Sequence, residues 1–332
     1  MNIPEPAPRW PVLREIAHPR CIACSPDHKS GLKLDFHDSG GGAVRATFDC
    51  GVAFEGYPGQ LHGGIISTLL DAAMACWRAG EVSAARARCE AALALIPEWY
   101  PGHELLASLN LPGAAYLELL SRIHSHLRPR TYLEIGVADG KSIALAGPDT
   151  LAVGVDPQPS VAGPHGPRTS IRVATSDDYF ATHDLSADFD GLPIDLAFID
   201  GMHQFEFALR DFINVEKHCT PRSTILIHDC YPLNRLTAER ECRTLFWSGD
   251  IWRLILILRK YRPELSVNVI ATAPTGLGVV RGLDPASKVL SERTHEIVSE
   301  YLALDYSVLD ADKAGMLALY PNDWERIKTL LG

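Results

Sequence analysis

The chain has 332 residues, 31 of them basic and 41 acidic, for a formal charge of −10. That length suits about two domains of roughly 150 residues each, and a hydrophobic content of 46% excludes wholesale disorder, which needs low hydrophobicity with high net charge. The acidic balance argues against a nucleic-acid partner, and no apolar run approaches the roughly 20 residues that span a bilayer. Eight cysteines without an apolar N-terminal leader fit reduced thiols in a cytoplasm.

After a Pro-rich leader, residues 31–37 (GLKLDFH) and 43–49 (AVRATFD) alternate with period two and predict half-buried strands, joined by the turn Asp38-Ser39-Gly40-Gly41-Gly42. Residues 63–77 (GGIISTLLDAAMACW) read as a buried helix. Cys21 and Cys24, with His18 and His28, have a spacing that could hold zinc. Residues 81–96 have strong helix propensity and stop at Pro97, and helical segments 102–109 and 113–127 follow. Gly80, Ala84, Ala91, Leu93 and Pro97 are spaced as in one tetratricopeptide-type helix pair. A lone pair of that kind cannot bury its own face, so the region is read as a helical linker.

Residues 130–282 alternate short apolar strands with helices. The strands are 131–137, 151–155, 170–174, 194–199, 223–228, 266–272 and 276–281. Near-continuous apolar strands between helices predict an α/β doubly wound, Rossmann-like sheet covered on both faces. Only Ala273-Pro274-Thr275 separate the last two strands, so these form an antiparallel hairpin closing a seven-stranded sheet. The expected organisation is a first segment at 1–77, a helical linker at 78–128, the α/β domain at 129–283 and a helical extension at 284–332.

Ligands of open parallel sheets bind at the carboxyl ends of the strands. Here the first strand runs into Glu134-Ile135-Gly136-Val137-Ala138-Asp139-Gly140-Lys141-Ser142. Gly136 and Gly140 allow sharp turns and close approach, and a helix starting near Lys141 offers unpaired amides. The spacing E-x-G-x-x-x-G-x-S fits neither a dinucleotide fingerprint nor a triphosphate loop. Glu134 would repel a pyrophosphate but could pair with an ammonium. Asp156, about 20 residues on, suits the hydroxyls of a ribose.

Residues 131–282 resemble a class I S-adenosylmethionine-dependent methyltransferase. The matching features are LEIGVADGKS, GVDP, FIDGMHQFEFALRDF, LIHDCYP and the closing hairpin. The branch it resembles is the small-molecule O-methyltransferases with IDGxH after the fourth strand. The resemblance implies that Glu134, Gly136, Gly140 and Ser142 contact the methionine part of the cofactor and Asp156 the ribose. Ser176 and Asp177 would lie near the adenine, although a Ser-Asp-Asp turn is also an ordinary helix start.

Asp200 and His203 follow the fourth strand and His228-Asp229 the fifth. Methyl transfer from a sulfonium is an in-line displacement in which the acceptor oxygen must be held close and lose its proton. Asp200, His203 and Asp229 are the expected catalytic residues, with His203 as base. The open alternative is a divalent metal, Mg²⁺ or Mn²⁺, on Asp200, His228 and Asp229, lowering the hydroxyl pKa. Plainer roles are a helix cap for Asp200 and a hydrogen-bonded strand end for His228.

Gln60-Leu61-His62-Gly63-Gly64, Asp71 in the helix that follows, and Pro19–Cys24 resemble hotdog-fold acyl-CoA thioesterases, whose helix amides stabilise an oxyanion. The chain lacks the strands that complete a hotdog, so 19–77 is read as a truncated segment, a fusion remnant or a homodimer surface. The leading expectation is methyl transfer from S-adenosylmethionine to a small-molecule hydroxyl. The alternatives are thioester hydrolysis and a non-catalytic cofactor-binding helical scaffold.

Overall fold

The computed structural model describes residues 82–332 except 162 and 164, and before them Leu32, four short strands and positions 64, 65, 68, 74 and 80. The chain forms two compact units, Met1–Leu109 and Asn110–Gly332.

In the first unit, β1 (Asp35–Gly40) and β2 (Ala43–Thr47) form an antiparallel hairpin. A separate antiparallel pair is made by β3 (Glu55–Tyr57) and β4 (Gln60–Leu61). Helices α1 (Val82–Leu95) and α2 (Tyr100–Asn110) follow. Ala85, Cys89 and Ala92 form a buried stripe at helical spacing along α1. Cys89 Sγ donates to Gly102 O at 3.0 Å, tying the two helices together. Of the thioesterase-like segment, the described strands form two small sheets, not a hotdog sheet. His62, Gly63 and Asp71, and the zinc-spaced His18, Cys21, Cys24 and His28, lie outside the described residues.

The second unit opens with α3 (Tyr116–Leu127) and then builds one sheet. Its first five strands are β5 (Thr131–Ile135), β6 (Leu151–Asp156), β7 (Thr169–Val173), β8 (Ile194–Ile199) and β9 (Cys219–Ile227). They are parallel, in the order β7-β6-β5-β8-β9. The hairpin β10 (Ser266–Ile270) and β11 (Leu277–Arg281) continues the sheet antiparallel beside β9. This is the expected Rossmann-like sheet, with one addition. A two-residue strand, β12 (Leu319–Tyr320), pairs parallel with β10 and makes eight strands where seven were expected.

Alternate side chains along each strand enter different cores, as the pleat requires. Leu133, Ile135, Val153, Val155, Ala197 and Ile199 pack with Phe205, Leu209 and Phe212 of α6 (Phe205–Glu216) and with Trp252 and Ile255 of α7 (Trp252–Tyr261). Two short helices, α4 (Ser176–Thr182) and α5 (Leu185–Asp188), lie between β7 and β8. On the other face Tyr132, Ala152, Leu196 and Phe198 meet Leu119, Leu120 and Ile123 of α3 and Ile327 and Leu331 near the C-terminus. The boundaries expected at 128 and 283 therefore both fall inside this unit. The glycine loop departs from expectation: the helix expected near Lys141 is only a 3-10 turn, Ile143–Leu145. Gly147-Pro148 follows at once, and the residue before a proline is pushed out of the helical region.

Candidate functional site

The ends of the central strands are locked in register. The Gly136 amide donates to Val155 O, that of Asp200 to Ile135 O, and that of His228 to Ile199 O, at 2.8 to 3.0 Å. Gly136 has φ +87, and a Cβ there would stand 2.0 Å from Asp200 O, so only glycine lets the loop pass the end of β8 so closely.

Asp156 braces that loop. Its Oδ2 accepts from the Val137 and Ala138 amides, each at 2.9 Å, and its Oδ1 from the Gln158 amide at 2.7 Å. Glu134 is fully buried. Its carboxylate accepts from Tyr132 Oη at 2.5 Å and from Ser142 Oγ at 2.7 Å. Burial raises its pKa to about 8, against the pull of those two hydrogen bonds. Gly140 has φ +81, and a Cβ there would stand 2.9 Å from the Val161 side chain. Ser176 and Asp177 are committed to α6: Asp177 forms a bidentate pair with Arg210 (3.0 and 2.7 Å), and Ser176 bonds the buried Asp211.

Four titratable groups crowd the ends of β8 and β9. His203 Nε2 is 3.1 Å from Asp229 Oδ2 and 3.8 Å from Asp200 Oδ1. His228 Nδ1 is 3.1 Å from Asp200 Oδ1 and 3.4 Å from Asp229 Oδ2. Asp229 is buried and holds a left-handed backbone, φ 59, which turns its carboxylate into the cluster. Asp200 does not cap the following helix: α6 has Gln204 as its N-cap. Burial opposes charge on His228, but the Asp200 and Asp229 carboxylates outweigh it and hold the imidazolium well above its usual range. Burial likewise favours protonated Asp229, and the His203 and His228 rings reverse that and lower its pKa.

Among the described residues, Asp200, His203 and Asp229 present ligand atoms within 4.8 Å of one another, a spacing able to hold a metal ion. His228, expected as a third ligand beside Asp200 and Asp229, is not part of this group. The reason is orientation: His228 turns Nδ1 to the back of the two carboxylates, while its Nε2 is buried without a hydrogen-bond partner.

Sequence reasoning missed the residues that hold this cluster. Tyr116, at the start of α3, lies against the His228 ring with centroids 4.3 Å apart. The Trp247 ring stacks on His203 at 5.0 Å, and the Trp247 carbonyl is 3.0 Å from His203 Nδ1. Gly249, with φ +60, passes so close to His203 that a Cβ would meet its carbonyl oxygen at 1.8 Å. Asp250 is fully buried. Its amide donates to His203 O, its Oδ1 accepts from the Phe205 amide, and its Oδ2 accepts from Arg240 and Arg253. Ser248-Gly249-Asp250 before an apolar helix was a visible turn and cap signal; Tyr116 and Trp247 carried none.

Residues 133–230, the span from the glycine loop to Cys230, match a family model described as a methyltransferase domain. Over this span, under a third of the chain, the sequence is similar to that domain. No curated protein sequence matches the chain. Among solved structures, cofactor-bound Rv0187 from MTB aligns with a TM-score of 0.41 at 18% identity, over 55% of this chain and 87% of its own. The O-methyltransferase TomG from Streptomyces achromogenes, involved in tomaymycin synthesis and in complex with SAM, aligns at 0.40 and 18%, over 52% and 82%. An O-methyltransferase from Bacillus cereus in complex with SAH aligns at 0.38 and 15%, over 53% and 86%. Among the described residues no helix is long and apolar enough to cross a membrane.

Proposed function

We propose that the chain transfers the methyl group of S-adenosylmethionine to a hydroxyl oxygen of a small molecule, with a divalent cation at Asp200, His203 and Asp229. The observation that carries the reading is the convergence of these three side chains at strand ends adjoining the glycine loop.

The donor set fits a hard or borderline cation such as Mg²⁺ or Mn²⁺: two carboxylates and an imidazole. The hydrogen bonds of His203 also fit. Its Nδ1–H donates to the Trp247 carbonyl, the usual anchor of a metal-ligating histidine, and this leaves Nε2 to face Asp229 and Asp200. The same geometry weighs against His203 as the general base. Both ring nitrogens already face protein oxygens, so neither is left for an acceptor proton.

A bound cation supplies orientation of the acceptor and a lowered hydroxyl pKa. The chain's own residues do the rest. Asp156 and the amides of Val137 and Ala138 shape the loop that receives the cofactor, with Gly136, Gly140 and Ser142 on its methionine side. The acceptor approaches from the side of Asp200, the more exposed of the two carboxylates, with 21% of its side chain accessible against 5% for Asp229. As the acceptor oxygen bonds to the methyl carbon, the carbon–sulfur bond breaks, its electron pair neutralises the sulfonium, and Asp200 receives the hydroxyl proton. His228 and Tyr116 fix the carboxylates from behind.

The test pairs calorimetry with S-adenosylhomocysteine and transfer of radiolabel from S-adenosylmethionine across a panel of hydroxyl acceptors, with Mn²⁺ or a chelator present. Asp229→Ala is expected to abolish turnover and spare S-adenosylhomocysteine affinity. Transfer that is undiminished by chelation would remove the cation from the reading, and absence of S-adenosylhomocysteine binding would remove the methyl transfer.

A further inference from the structure

A cleft of about 420 Å³ opens between the second half of α7 and the helices that follow β11. That volume lies within the roughly 300–1,000 Å³ of small-molecule sites. Its walls are apolar. They are Leu256 of α7, Tyr301 and Leu304 in and just after the helix Thr294–Leu302, Val308 of the helix Tyr306–Ala311 and Met316 of the helix Lys313–Met316. None of these residues belongs to the carboxylate–histidine cluster or to the glycine loop. Val308 is 42% exposed, so part of this lining meets water at an unfavourable hydration cost.

The rest of the lining is charged: Arg259, Lys260 and Glu300. Glu300 is already satisfied, because Lys260 Nζ and Tyr261 Oη each donate to its carboxylate at 2.6 Å. The neighbouring Arg293 is spent on Glu296, to which it donates through two nitrogens at 3.0 and 2.7 Å. Arg259 has no such counter-charge. Its Nη1 donates to the carbonyls of Gly315 and Met316, and among the described residues it forms no ion pair. Two neutral acceptors thus fix the guanidinium beside the cleft. Its Nε and Nη2, the side-on edge of the fork, are left without a hydrogen-bond partner among the described residues. That edge matches a carboxylate in bidentate fashion.

We infer that this cleft is a binding site for a medium-chain aliphatic monocarboxylate, with its tail along the apolar walls and its carboxylate on Arg259. The charges at the cleft select the head group. Arg259 and Lys260 against Glu300 leave one positive charge, which a monoanion cancels. A dianion would add surplus negative charge beside Glu300, and an uncharged chain would leave the guanidinium unmatched. The apolar walls select the tail, since each methylene moved out of water adds to binding.

The test titrates hexanoate, octanoate and decanoate into the full chain, with 1-octanol as the uncharged comparison, by calorimetry and by NMR of ¹³C-labelled methionine methyls. Met316 lines the cleft, whereas Met202 stands beside the carboxylate–histidine cluster and is 57% exposed. Met316→Leu and Met202→Leu assign the two signals. Octanoate should shift the Met316 signal and leave that of Met202 in place. Affinity should rise about fourfold for each added methylene. 1-Octanol should bind about tenfold or more weakly than octanoate, the scale of a hydrogen bond to a charged group. Arg259→Gln should bring octanoate down to the affinity of 1-octanol. Val308→Asp, at an exposed position that the fold does not need, should lose octanoate binding. A shift of Met202 alone, an affinity that does not change with chain length, or Arg259→Gln binding octanoate as the wild type does overturns the inference. If octanoate does not bind and sedimentation shows Val308→Asp turning a dimer into a monomer, the cleft belongs to a second copy of the chain and the inference falls. The cofactor reading stands or falls separately, on S-adenosylhomocysteine binding.

Discussion

Gly249→Ala tests whether the chain behind His203 sets the cluster's geometry. The new Cβ would lie 1.8 Å from His203 O and 2.8 Å from His203 Cβ, on a backbone with φ +60. Restoring normal contact requires a shift of about 1 Å or more, and the Asp250 amide and Trp247 carbonyl pass that shift directly to His203. Left-handed strain costs about 1–2 kcal/mol and overpacking about 1–3 kcal/mol more. A ligand or reactant displaced by about 1 Å costs on the order of 100-fold in rate, and a disturbed ligand shell about 10- to 100-fold in metal affinity. Gly191→Ala is the matched control: φ is +74 and nothing lies within 4 Å, so only the strain applies. The assays are Mn²⁺ titration followed by electron paramagnetic resonance, which needs no acceptor, and thermal unfolding, where about 1 kcal/mol moves Tm by about 2–4 °C in a unit of this size. Gly191→Ala should lose a few degrees and bind Mn²⁺ normally. Gly249→Ala should lose more and bind Mn²⁺ at least about tenfold more weakly. Equal Tm losses with unchanged Mn²⁺ affinity in both variants would refute the reasoning.

Arg262 and Glu216 form a buried bidentate pair at 2.7 and 2.9 Å, joining the end of α6 to the chain entering β10. Arg262→Met strands a buried carboxylate and should cost about 3–5 kcal/mol in urea unfolding; a loss within experimental error would show the pair to be solvated. Asp211 is pushed up to about 7 by burial, from an ordinary 3.8. The folded state then holds its proton more tightly than the unfolded chain, so stability falls as pH rises from about 4 to about 7 and is level above. Asp211→Asn should remove that slope and be the more stable protein at pH 8, by at most on the order of 4 kcal/mol; parallel stability–pH curves for variant and wild type would contradict this. Trp247→Phe keeps the main-chain carbonyl that anchors His203, so it should preserve Mn²⁺ affinity within about threefold, whereas His203→Ala should lose about 10- to 100-fold. Equal losses in the two variants would mean that the indole, not the carbonyl, holds the ring.

Much of the sheet was legible because its strands are buried on both faces and read as apolar runs punctuated by turns. β5, β6, β8, β9 and the β10–β11 hairpin all stand where the pattern put them. β12 escaped because two residues carry no periodicity; its place comes from pairing with β10, a contact distant in sequence. The truncated helix after Ser142 shows Gly147-Pro148 overriding a good helical stretch. In the site, Asp200, His203 and Asp229 were visible as acids and imidazole at neighbouring strand ends. Their orientation was not, since it depends on Trp247, Gly249 and Tyr116 arriving from segments with ordinary composition. Glu134 stood out as an acid beside the glycine loop, but its burial against Tyr132 and Ser142 was not legible, because a strand's in–out alternation does not say what covers each side of a doubly covered sheet.

The Trp247 ring stacked on His203 places a fluorophore against one edge of the proposed reaction centre. Capture of a colourless, diamagnetic ion such as Mg²⁺ at His203 should therefore change the protein's ultraviolet emission, giving a label-free optical titration that reports on this corner of the molecule before any acceptor has been found.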